Sequence, residues 1–92
     1  MKTMGFFSKK QKVDNNALFK DKYKTINQLS MQAHQEGDFQ IKESLLALIV
    51  KEYETLLEYI DQGADFDKEH FMALKKNAEK ELQSIHEINQ DI

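Results

Sequence analysis

Three histidines, His34, His70 and His86, are the first residues to test for chemistry. None has a second histidine three or four positions away, and the H-E-x-x-H pattern that would set two ligands on one helix face is absent. His70 and His86 stand about four helical turns apart, too far to share one metal ion within a chain. The acidic stretch DQGADFDKEH (Asp61–His70) invites a calcium reading. With Asp65 as the first loop position, the sixth is His70 where glycine is required, and the twelfth is Lys76 where glutamate is required. The pairs Glu52 and Glu54, and Glu79 and Glu81, are spaced i,i+2 and point to different sides of a helix, so they do not form an acid–base pair. Ser8, Ser30, Ser44 and Ser84 have no base at a suggestive spacing, and no phosphate loop, dinucleotide fingerprint or nucleophile elbow occurs. These residue types in these spacings predict a protein that is not an enzyme, with no cofactor, metal or small-molecule substrate.

Composition narrows the field. Ninety-two residues with 40% hydrophobic content support one modest core. No cysteine, proline or tryptophan occurs, and three glycines leave few helix breakers, which favours an all-α chain. Every one of the 13 basic residues is lysine. Arginine's planar fork, the usual reader of phosphate and guanine, is therefore missing. The abundance of residues with AT-rich codons points to an AT-rich bacterium, phage or plasmid as the source.

Charge is unevenly placed. Residues 1–24 hold seven lysines and two aspartates, a charge of +5; residues 25–92 hold six lysines and fourteen acids, a charge of −8. Only the first part suits an anionic partner, and direct nucleic-acid binding is disfavoured by the acidic body. No apolar run exceeds the six residues of LLALIV (Leu45–Val50), and Met1–Phe7 lacks the features of a signal peptide. A cytoplasmic location is the expectation.

The elements that must position any site read as three helices. The first is expected over 15–35, capped by Asp14, with Val13 and Leu18 as a hydrophobic staple and Gly37 as a left-handed stop. Its apolar face holds Leu18, Phe19, Tyr23, Ile26, Leu29 and Ala33, interrupted by Lys22. The second, 39–62, is capped by Asp38 and stopped by Gly63. Its apolar stripe covers over half its circumference once Ile41, Leu48 and Tyr59 are included. The third, 68–89, is capped by Asp67, stapled by Phe66 and Phe71, and carries a narrower stripe through Leu74, Ala78, Leu82, Ile85, Ile88 and Ile92. Short turns make neighbours antiparallel, so the prediction is a three-helix bundle (residues 14–92) behind a basic-aromatic arm (residues 1–13).

Residues 56–82, LLEYIDQGADFDKEHFMALKKNAEKEL, resemble the short C-terminal domain called SHOCT. The likeness rests on Leu56, Leu57, Gly63, Glu69, Phe71, Lys75, Lys76 and Leu82, and departs at Asp65 and His70. It implies an appended interaction or oligomerisation hairpin without catalysis.

Three functional readings follow. The first is a protein–protein interaction module, alone or as a homo-oligomer, with Phe6, Phe7, Ile41, Leu48 and Tyr59 as the candidate interface. The second is a membrane-associated accessory or immunity-type protein, with Phe6 and Phe7 entering the lipid interface and Lys9, Lys10 and Lys12 meeting anionic headgroups. The third is an acidic inhibitor of a nucleic-acid-handling protein.

Overall fold

The computed structural model describes residues 14–91. Three helices follow one another: α1 (Asn15–Gln35), α2 (Phe39–Asp61) and α3 (Lys68–Gln90). Among the described residues there is no strand, and the helices form an all-α three-helix bundle. The expected boundaries hold to within one residue, α2 ending one residue earlier and α3 one residue later than the periodicity predicts.

Each helix starts on an aspartate in extended backbone whose carboxylate accepts from the first turn. Asp14 accepts from the Ala17 amide at 3.2 Å. Asp38 accepts from Gln40 and Ile41 at 2.9 and 3.3 Å. Asp67 accepts from Glu69 and His70 at 3.1 and 3.4 Å. Caps of this kind contribute about 1 kcal/mol each, because the first amides of a helix have no partner within it. The Phe66–Phe71 staple forms, with ring centroids 6.4 Å apart at 89°. Val13, Ile92 and the arm lie outside the described residues.

The two turns work differently. Gly63 has φ +121°, and around it the Gly63 and Ala64 amides donate back to the Ile60 and Tyr59 carbonyls at 3.0 and 2.9 Å. This is a Schellman closure, and it needs glycine at that residue. Gly37 does not act as a left-handed stop, contrary to expectation; Gly63 alone has a positive φ among the described residues. The physical reason is that Glu36 and Asp38 are already extended on either side, and the Glu36 carboxylate accepts the Asp38 amide at 3.0 Å. The chain passes straight from the end of α1 into the cap of α2.

The core shows why α2 has so wide an apolar girth. It packs on both neighbours, and no Cα of α1 comes within 8 Å of a Cα of α3. The outer helices bury one residue every seven, namely Phe19, Ile26 and Ala33 on α1 and Phe71, Ala78 and Ile85 on α3. The central helix buries Leu46, Ile49, Tyr53 and Leu56, alternating steps of three and four as a two-sided seam requires. Lys22, which breaks the apolar face of α1, is paired with Glu52 across the α1–α2 seam at 3.1 Å.

Candidate functional site

The ends of the bundle are latched by asparagines. At the start of α1, Asn15 donates to the Gln62 carbonyl at 2.9 Å, and Asn16 accepts from the Asp65 amide at 2.7 Å. These two side chains grip the α2–α3 turn. At the other end, Asn89 donates to the Phe39 carbonyl at 3.0 Å and to the Glu43 carboxylate at 2.7 Å. His86 Nδ1 sits 2.8 Å from the other Glu43 oxygen. The Asn89 bond, then the His86 bond, hold the Glu43 carboxyl below its ordinary value. Tyr53 is shifted the opposite way; burial, and secondarily the Tyr23 phenol, push it up.

Aromatic rings tie α1 to α3 at the first of these ends. Phe19 stacks on Phe66 with centroids 3.9 Å apart and planes within 8°. Phe71 meets Phe19 edge-on at 4.8 Å and Tyr23 edge-on at 5.3 Å. Away from this cluster the outer helices are not bridged by backbone contact, and a cleft runs along the side of α1 that faces α3.

Three adjoining cavities make up the cleft. The first, ≈ 460 Å³, has walls of Phe19, Tyr23, Met31, Phe66 and Phe71, with Lys20 and Lys24 on its rim. The second, ≈ 410 Å³, is lined by α1 residues alone; it shares Asn27 and Met31 with the first and continues to His34. The third, ≈ 180 Å³, shares Ser30 and His34 with the second and reaches down to Leu46, Ile49 and Tyr53 of α2, with Leu74 and Ala78 opposite. Small side chains explain the opening. Ala33 and Ala78 occupy buried positions on the two outer helices and line this third cavity, where longer side chains would meet across the gap.

The residues expected at an interface are dispersed. Phe6, Phe7, Lys9, Lys10 and Lys12 lie outside the described residues. Ile41 is 49% and Leu48 42% exposed, whereas Tyr59 is half-buried against the core. At 100° per residue, Ile41 and Leu48 lie roughly a quarter turn around α2 from Ile49, on its α1 side and away from the cleft. Ile41 instead borders a shallow hollow with Leu45, Gln32 and Glu36. The cleft residues Phe19, Tyr23, Phe66 and Phe71 read in sequence as ordinary core and staple positions. The available signal was the alanine at 33 and 78, in stripes where larger residues would close the bundle.

Chemistry remains sparse. Among the described residues no group of three or more metal-ligating side chains gathers. No described helix is long and apolar enough to cross a membrane. Set against family models, curated proteins and solved structures, the chain has no match.

Proposed function

We propose that this chain is a non-enzymatic protein-binding module whose cleft between α1 and α3 accepts a helix from another protein. The observation that carries the reading is the separation of the outer helices. It leaves a small opening, ≈ 180 Å³, above the buried Leu46, Ile49 and Tyr53 of α2, between two parallel walls. Packed helices normally lie with axes about 8–10 Å apart, and a fourth helix in this cleft restores that spacing on both sides. Such a guest anchors through residues at i, i+3, i+4 and i+7 on its apolar face. The resemblance of residues 56–82 to a SHOCT hairpin supports an interaction role in the same way.

Site-specific photo-cross-linking tests the reading. Met31 is 63% exposed on the cleft, and Leu48 is 42% exposed away from it. A photoreactive residue at position 31 is expected to trap the partner and one at position 48 to trap little. Trapping from position 48 alone refutes the cleft as the binding site.

A second reading is self-association through Ile41 and Leu48, favoured by their exposure two turns apart on one side of α2. It predicts a mass that rises with concentration and returns to that of a monomer in Leu48→Glu.

A further inference from the structure

We propose that the occupant of the cleft is an acidic amphipathic helix; this rests on the cleft reading above and specifies its partner. The aromatic end of the cleft has a sign. Lys20 and Lys24 are the charged residues lining the first cavity, one helical turn apart, and no acid lines it. Both are exposed, and neither pairs with an acid among the described residues. Lys22, between them in sequence, points elsewhere and is tied to Glu52.

The surroundings sharpen the contrast. The second cavity has no charged wall apart from the titratable His34, and the third balances Lys42 against Glu81. Positive charge is thus concentrated where the aromatic walls are. Residues 25–92 as a whole carry −8. A basic guest would be repelled at the rim of the cleft and drawn to the acidic remainder of the surface. A guest with apolar anchors and glutamates or aspartates flanking them meets, at this cavity, aromatic walls and two lysines with no acid lining beside them. Two acids three or four residues apart on the guest match the spacing of Lys20 and Lys24.

The test uses the full chain and two synthetic helical peptides of about 20 residues, long enough to span the cleft. Both carry leucine and phenylalanine at i, i+3, i+4 and i+7; the remaining positions are mainly glutamate in one and lysine in the other. Fluorescence anisotropy is expected to show the glutamate peptide binding at least about tenfold more tightly, the advantage falling as salt rises. The K20E/K24E double variant, with helicity checked by circular dichroism, is expected to lose that preference, and Met31→Ser, which removes apolar contact without adding charge, to weaken both peptides. Equal binding, or preference for the lysine peptide, overturns the acidic specification and leaves the cleft standing. Binding that appears only once Phe6 and Phe7 are replaced by alanine also overturns it, because the occupant is then the chain's own leading segment. If neither peptide binds, the acidic specification falls, and the cross-link from position 31 decides separately on the cleft.

Discussion

Lys22 Nζ lies 3.1 Å from Glu52 Oε1 and 3.3 Å from Oε2, with about a quarter of the lysine and a fifth of the glutamate side chain exposed. A charge on the apolar face of α1 is therefore answered by a charge on α2, and the seam closes over the pair. A double-mutant cycle of Lys22→Ala and Glu52→Ala, read by urea denaturation, is expected to give a coupling of roughly 0.5–1 kcal/mol that shrinks in high salt. Strict additivity would show that the pair adds nothing beyond its separate side chains.

The two glycines of the turns should respond in opposite ways to alanine. At Gly63, φ +121° strains any L side chain, and Gly63→Ala is expected to cost about 1–3 kcal/mol. At Gly37, φ is negative and an added Cβ meets nothing within 4 Å, so Gly37→Ala is expected to be neutral or stabilising by up to about 1 kcal/mol. Thermal melts of the two variants against the parent chain decide both.

Acid should loosen the end of the bundle held by Glu43. Its carboxyl is lowered by Asn89 and then His86, so the folded state favours the ionised form. The resulting stability is present above the ordinary carboxylate range and is lost as pH falls through the lowered value. Glu43→Gln is expected to remove that part of the acid dependence in urea midpoints taken from neutral pH downward. An unchanged slope would place the dependence on other carboxylates.

The latch at the opposite end makes a separate prediction. Asn15 and Asn16 each hold one backbone group of the α2–α3 turn. Replacing either by alanine is expected to cost about 1 kcal/mol and to increase amide exchange at Asp65 most clearly for Asn16. The Asn15 carbonyl oxygen is buried without a hydrogen-bond partner, so Asn15→Asp should be worse than Asn15→Ala.

The helices and caps were legible in sequence because their signals are local. An aspartate before each apolar run, a glycine after α2 and the Phe66–Phe71 spacing each act over a single turn of chain. Gly37 misled for a related reason: a glycine after a helix suggests a left-handed stop, but Asp38 already opened the next helix in extended backbone. The partner of Lys22 was beyond local reach, since Glu52 lies thirty residues away. The cleft was less legible still. It depends on how far apart α1 and α3 stand on α2, and the only trace of that distance in the sequence is the small size of Ala33 and Ala78.

The asparagine latches have a consequence for alignment along the bundle. Burying one residue every seven on α1 and on α3 produces seams that nearly repeat themselves. A helix displaced by seven residues, roughly 10 Å, would again offer an apolar side chain at most of the same positions along α2. Apolar burial alone separates those alternatives weakly. Asn15, Asn16 and Asn89 separate them strongly, because each meets a particular backbone carbonyl or amide at a helix end or in the α2–α3 turn, and a shifted helix would strand them. The polar ends thus select one sliding position, and with it the alignment of Lys20 and Lys24 over the aromatic walls.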